Sequence, residues 1–393
     1  MISTISAFDR LREIQQGITI PAGLTPIQLH LGEFRRQFPA AYFRPLELID
    51  DWTRYPPLGG TASLRAAYIG WLQRRYNVQL CLHDNRIAVE PTPGTKQALA
   101  AFIALAVARA RTRGVANPAV VLPNPYYPTY LAGTEATGAQ AVFYTPTEKN
   151  HAYAISAAVE AAQGCTAAII VCNPGNVRGE ILSCETLSKT GLLASEVAAM
   201  LIVDECYTDL SLGNPPPGYL SLAKHANAAR GPFVVLHSLS KRSGTPGLRC
   251  GFVAGDPESV AAYASYNRSC GVSTPIPICT VASAFWADDA HVSRLQSSLA
   301  RNWDLADAII GEIPYYRRAE AGFFVWLPVP EDEVAARQLW QRYALSVMPG
   351  RYLAAADENG VNPGAHHLRI ALVHDEAIMR EALIRLRDAM RQH

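Results

Sequence analysis

"FVVLHSLSKRSGTPGLRCGFVAGD", residues 233–256, joins two apolar runs through a turn crowded with chemistry. The first run, "FVVLH", is unbroken and β-branched, so it reads as a strand covered on both faces. Beyond it Ser238, Ser240, Ser243 and Thr245, two glycines, Arg242 and Arg249 surround Lys241 within a dozen positions. A surface lysine needs no such company. A lysine just past the end of a buried strand stands where open α/β sheets bind their ligands.

Similar runs recur on either side: "AVVLPNP" (119–125), "AAIIVCNP" (167–174), "MLIVDECY" (200–207) and "CGFVAGD" (250–256). Helical stretches such as "TKQALAAFIALAVARARTR" (95–113) separate them. The alternation predicts an α/β fold with helices covering the sheet. We place this large domain at residues 46–275. The pattern from Val281 to about Ile313, "GFFVWLPV" (322–329), "YALSVMPG" (343–350) and the closing helix "DEAIMREALIRLRDAMR" (375–391) predict a smaller α+β domain. Residues 1–45 and 276–393 would form it.

The bulk composition narrows the partner. At 393 residues the chain can bury a large core. Its 35 basic and 34 acidic side chains nearly cancel, giving no field for nucleic acid or an anionic membrane. A small molecule is the expected ligand. The eight cysteines lie singly with no CxxC pair, as free thiols in a reducing compartment do. The start, "MISTISAFDRLREIQQG", lacks the apolar run of a signal peptide, and no stretch approaches a membrane span. The cytoplasm is the expected location. No GxxxxGK[ST] occurs and no GxGxxG follows a strand, while His366 and His367 lack further spaced ligands, so no metal is expected.

The residues at the strand ends fit a phosphorylated aromatic aldehyde held by lysine as a Schiff base. Such a site needs a carboxylate at the ring nitrogen, donors at the ring oxygen, a stacking surface and an anion cradle. Asp204 ends an apolar run, where a carboxylate is costly unless a cation pairs with it. A protonated ring nitrogen would be that cation. Asn176 and Tyr207 could donate to the ring oxygen, and Tyr127 could stack on the ring. Gly94, Thr95 and Lys96 open a helix whose N–H groups favour an anion, with Ser238, Ser240 and the fork of Arg249 completing the cradle. Lys241, beside a cationic ring and Arg249, would lose proton affinity and serve as nucleophile and then as proton shuttle.

Eight blocks in order resemble class I/II aminotransferases, the fold-type I pyridoxal-phosphate enzymes: "LHLGEF" (29–34), "YPPLGGTASLRAA" (55–67), "PTPGTKQAL" (91–99), "PNPYYPTY" (123–130), "NPGNVRGEIL" (173–182), "VDECY" (203–207), "SLSKRSGTPGLRCGF" (238–252) and "LRIALV" (368–373). The resemblance implies a mostly parallel seven-stranded sheet and pyridoxal 5'-phosphate as cofactor. It also implies an amino acid and a 2-oxo acid as substrates, and a homodimer with composite sites. It gives Lys241, Asp204 and Tyr207 catalytic roles. Gly94, Thr95, Lys96, Tyr127, Asn176, Ser238, Ser240 and Arg249 join them around the cofactor, and Tyr55 would reach the neighbouring subunit's phosphate. Arg369 and the Gly32 backbone would grip the substrate carboxylate.

Within the family, "SLSKRSGTPGLRCGFVAGD", "AFWADDAHV" (284–292) and "VMPGRYLAAADENGVNPG" (347–364) are most similar to bacterial N-succinyldiaminopimelate aminotransferases of lysine biosynthesis. That implies transfer between glutamate and an acidic oxo acid. The sequence also departs from the family's NPxNPTG, placing Val177 and Arg178 where proline and threonine stand. "FRRQF" similarly puts Arg35 and Arg36 near the expected substrate mouth. A Cα carbanion serves elimination, replacement and ring formation as well as transamination. The alternative is therefore a repurposed enzyme of specialised metabolism. A non-catalytic regulator would need a DNA-binding segment ahead of "LHLGEF", and 28 residues leave no room for one.

Overall fold

The structure, a computed structural model, describes residues 6–34, 38–77, 86–146, 150–223 and 231–391. Every apolar run quoted above contains a strand. The large unit comprises α1 (Ala62–Tyr76), β1 (Ala88–Thr92), α2 (Thr95–Thr112), β2 (Ala119–Pro123), β3 (Gln140–Tyr144), α3 (His151–Ala161), β4 (Thr166–Cys172), β5 (Met200–Asp204), β6 (Phe233–Ser238) and β7 (Gly251–Gly255). Its strands lie in the order β1-β7-β6-β5-β4-β2-β3. β7 runs antiparallel to both neighbours, and the other adjacent pairs are parallel. Strands β4 to β7 are buried at every residue, which is why they read as continuous apolar runs.

One face of the sheet packs on α2 through Leu99, Phe102 and Ile103. The other packs on α1 and on α4 (Ile276–Ala287), where the Tyr68 ring stacks on Phe252 at 4.0 Å between centroids. Each such fully buried large apolar side chain contributes about 1.5–3 kcal/mol relative to exposure.

The smaller unit follows with α5 (Ala290–Ile310), β8 (Phe324–Pro328), β9 (Met348–Pro349), β10 (His367–Ala371) and α6 (Glu376–Met390). Its three strands pair antiparallel in the order β9-β10-β8. The N-terminal segment returns here, Ile27–Gln28 pairing with Leu345–Ser346. The 275/276 division expected from sequence falls at the start of α4. Cys279, Val281, Ala282, Phe285 and Trp286 of α4 sit in the large core, and the second core takes over at Leu295. Phe38, Tyr42, Phe43 and Leu46 likewise pack against the large core. No helix among the described residues is long and apolar enough to cross a membrane.

The sheet register aligns the chemistry. Thr92, Gly251 and Ser238 lie side by side across β1, β7 and β6, and Asp204 lies beside Cys172 across β5 and β4. The strand ends thus form one rim.

Candidate active site

Lys241 stands on a four-residue helical turn, Leu239–Arg242, directly after β6, with Ser238 Oγ accepting the Ser240 N–H at 3.1 Å. Its Nζ donates to the Gly32 carbonyl at 2.7 Å and faces the rings of Phe323 and Tyr207, 5.3 and 5.8 Å from their centroids. Burial is the main cause of a pKa lowered to about 8, and the positive charge of Arg369 adds to it. The next residue, Arg242, points the other way. Its guanidinium bonds Asp209 at 2.9 Å and Asp289 at 2.5 Å, and lies near the rings of Trp71 and Trp286. One residue anchors the turn and its neighbour is presented.

Asp204 ends β5, buried, at 4% exposure. Its Oδ2 accepts from the Tyr130 hydroxyl at 2.7 Å and its Oδ1 from the Cys206 N–H at 3.2 Å. Burial raises the Tyr130 pKa far above the ordinary phenol value, so it remains a donor. Three residues on, the Tyr207 hydroxyl accepts from Asn176 Nδ2 at 2.7 Å, and burial raises this phenol's pKa too. Nothing in the sequence pattern singles out Tyr130 from its neighbours Tyr126 and Tyr127. Only the turn at Pro128, which starts a helix, aims it at Asp204.

A second layer fixes these strand ends. Glu205 and His237, the immediate neighbours of Asp204 and Ser238, are fully buried and meet at 3.0 Å. Tyr76 donates to the same Glu205 oxygen at 2.7 Å, the Tyr219 N–H donates to the other at 2.7 Å, and the Tyr68 hydroxyl pairs with His237 Nδ1 at 2.7 Å. The sequence carried no signal for this network.

The residues expected to cradle an anion come from two distant stretches. Gly94 precedes α2 at φ 94°, and a Cβ there would lie 2.3 Å from Arg249 Nη2. Only glycine admits both the backbone angle and the close approach. Arg249 itself is held in the left-handed region at φ 50°, with Nη1 donating to Pro246 at 2.8 Å. Thr95 Oγ1 lies 3.2 Å from Cys206 Sγ, bringing this helix start beside the Asp204 turn. Lys96 is exposed. Tyr127 meets Tyr130 edge-on at 5.6 Å.

Arg369 lies in β10, buried, with its guanidinium 4.1 Å from the Phe324 centroid and Nη2 donating to the His30 carbonyl at 3.3 Å. Its Nε has no hydrogen-bond partner among the described residues, and burial lowers its pKa to about 10, so it keeps its charge at neutral pH. Gly32 is held beneath Phe323 and Phe324, where a Cβ would approach Phe323 to 2.7 Å. Val177 is buried, and Arg178 donates to the Pro146 carbonyl at 3.3 Å. Tyr55 stands fully exposed, outside this cluster. Arg35 and Arg36 lie outside the described residues.

These groups fit pyridoxal phosphate. Asp204 is a buried carboxyl group bonded by a phenol and an amide but by no cation among the described residues, so it could take a protonated ring nitrogen as partner. The Gly94 and Arg249 arrangement leaves a cradle for the phosphate.

Comparison with known proteins agrees. The family model "Aminotransferase class I and II" matches residues 32–386. The transaminase OxyQ of Streptomyces rimosus, named for 4-dedimethylamino-4-oxo-anhydrotetracycline, is 28% identical over 93% of this chain and 94% of its own. The crystal structure of an aminotransferase from Neisseria meningitidis Z2491 superposes with a TM-score of 0.88 at 32% identity, covering 99% of this chain and 97% of that one. N-succinyldiaminopimelate aminotransferase from Mycobacterium tuberculosis shares the fold, with a TM-score of 0.82 at 20% identity over 99% and 98% of the two chains.

Proposed function

Because the chain belongs to the aminotransferase class I and II family, whose members depend on pyridoxal phosphate, we propose that it moves an amino group between glutamate/2-oxoglutarate and an acidic amino acid such as N-succinyl-diaminopimelate. The observation that carries the site assignment is the meeting of an amine of lowered pKa, Lys241, and a buried carboxyl group, Asp204, on one strand-end rim.

When bound, the cofactor supplies an electron-withdrawing ring that stabilises negative charge at the substrate Cα. Asp204, braced by Tyr130, would hold the ring nitrogen protonated, and Asn176 and Tyr207 would hold the ring oxygen. Gly94, Thr95, Lys96, Ser238, Ser240 and Arg249 would bind the phosphate, with Tyr127 against the ring face. Lys241 then carries the proton to and from Cα. An amine with pKa about 8 can do both near neutral pH, because each protonation state is well populated. Arg369 would take the α-carboxylate as a planar fork, its unpartnered Nε supplying a donor.

A homodimer belongs to the same proposal. Tyr55 is fully exposed in a stretch that also exposes Leu48, Ile49, Trp52 and Leu58. A neighbouring subunit would cover these side chains and receive Tyr55 at its phosphate. The free cysteines support a cytoplasmic location.

A second reading is favoured by the Streptomyces rimosus relative, whose name is that of a transaminase for a large ring ketone. The same apparatus would then act in specialised metabolism, on a ring ketone or through elimination, replacement or ring formation. Mixing holoenzyme with glutamate or N-succinyl-diaminopimelate in a stopped-flow spectrometer separates the two. Loss of the aldehyde-form absorbance with N-succinyl-diaminopimelate, restored by 2-oxoglutarate, supports acidic-substrate transamination, whereas a response to glutamate alone is shared with a ring-ketone transaminase. No change with either amino donor removes that reading.

A further inference from the structure

Behind the Asn176 turn, at the ends of β2, β3 and β4, lies a small cavity lined by Tyr127, Tyr130, Asn176, His151 and Glu180 among others. Three of its side chains carry buried polar atoms with no hydrogen-bond partner among the described residues: Asn176 Oδ1, His151 Nε2 and Glu180 Oε2. Unpaired polar atoms of this kind are costly to bury. Water centres have about 30 Å³ of space there, where one water needs about 10–15 Å³.

The spacing points the same way. His151 Nε2 and Glu180 Oε1 stand 3.7 Å apart, too far for a direct hydrogen bond. Glu180 is nonetheless built into the turn. The Gly175 N–H donates to its backbone carbonyl at 2.9 Å, and the Gly179 N–H to the Gly175 carbonyl at 3.1 Å. A Cβ on Gly175 would lie 2.4 Å from Glu180 Oε2, so the carboxylate rests against the bare Cα of that glycine. Burial pushes the Glu180 pKa up, but His151 and Arg178 outweigh it and lower it, keeping the group ionised.

We propose that one or two ordered waters in this cavity join Asn176 Oδ1 to the His151 and Glu180 side chains, making these two positioning residues for Asn176. The inference rests on the aminotransferase reading only for its consequence. An acceptor network on Oδ1 fixes which way the amide faces, and so aims Nδ2 at Tyr207 and at the ring oxygen beside it. It also gives Val177, which lacks the fixed φ of a proline, another means of holding the turn.

Two measurements test it. The first is a high-resolution crystal structure of the wild-type protein, expected to show water within hydrogen-bond reach of Asn176 Oδ1, His151 and Glu180. A dry cavity, or one filled by a side chain, overturns the proposal whether or not the cofactor binds. The second is the pyridoxal-phosphate dissociation constant and the pH midpoint of the bound cofactor's absorbance, for wild type, Glu180→Ala and Glu180→Gln. Glu180→Ala should weaken binding roughly threefold to tenfold, the effect of about one hydrogen bond, and shift the midpoint. Glu180→Gln keeps an oxygen for the water and should restore both. Thermal melting confirms that each variant is folded. A folded Glu180→Ala with wild-type affinity and midpoint, or a Glu180→Gln that rescues neither, overturns the inference. A wild type that binds no pyridoxal phosphate overturns the function proposed above, and the water structure then decides the inference alone.

Discussion

The Tyr130 hydroxyl donates to the Asp204 carboxylate at 2.7 Å, joining the helix after "PNPYYP" to the end of β5. It orients the Asp204 side chain without supplying a positive charge of its own. Replacing the phenol should therefore cost less than replacing the carboxylate. Tyr130→Phe is expected to lower kcat roughly tenfold, and Asp204→Asn by a factor on the order of 10³. Steady-state kinetics on the two variants would check the order; equal losses would mean that Tyr130 does more than orient.

Lys241 must be neutral to attack an aldehyde. With a pKa of about 8 against an ordinary 10.5, roughly a quarter of the amines are neutral at pH 7.5, against about one in a thousand in water. The rate of pyridoxal-phosphate capture by the apoprotein should rise with pH and level off above about 8. The sign follows from burial, which disfavours the ammonium form. A rate still climbing beyond pH 10 would contradict the buried setting.

Gly94→Ala places a methyl group against Arg249 at a backbone angle that alanine resists. The variant should fold, yet bind pyridoxal phosphate at least about tenfold more weakly, since both the N–H cradle and the arginine fork are displaced. Equilibrium dialysis would measure this. Free pyridoxal, which has no phosphate, should be affected little.

Glu205→Ala removes the shared acceptor of Tyr76, the Tyr219 N–H and His237. Leaving buried donors of this sort without their acceptor costs about 1–3 kcal/mol. Urea unfolding should show that loss, while Lys241→Ala leaves the midpoint far closer to wild type.

The reactive residues were legible because their chemistry conflicts with their setting. Asp204 interrupts an apolar run, and Lys241 sits among hydroxyls and glycines just past another. Their supports were not. Tyr126, Tyr127 and Tyr130 look alike in "PYYPTY", and only the helix begun at Pro128 selects the one that meets Asp204. Arg242 adjoins Lys241 in every reading of the turn, but its partners Asp209 and Asp289 lie far off in sequence. The helix Ile276–Ala287 is ambiguous for a related reason. "IPICTVASAFWA" is apolar on all sides, so its pattern does not say which of two cores it fills.

The antiparallel strand β7 ties the expected anion site to completion of the sheet. Arg249 lies two residues before its start and reaches the Pro93 carbonyl, 156 residues away. The residues expected to cradle an anion meet only where β7 lies between β1 and β6, and its pairing with β1 is long-range. A phosphate-bearing ligand would thus discriminate finished molecules from unfinished ones. By binding the completed form alone, it would draw the folding equilibrium towards it.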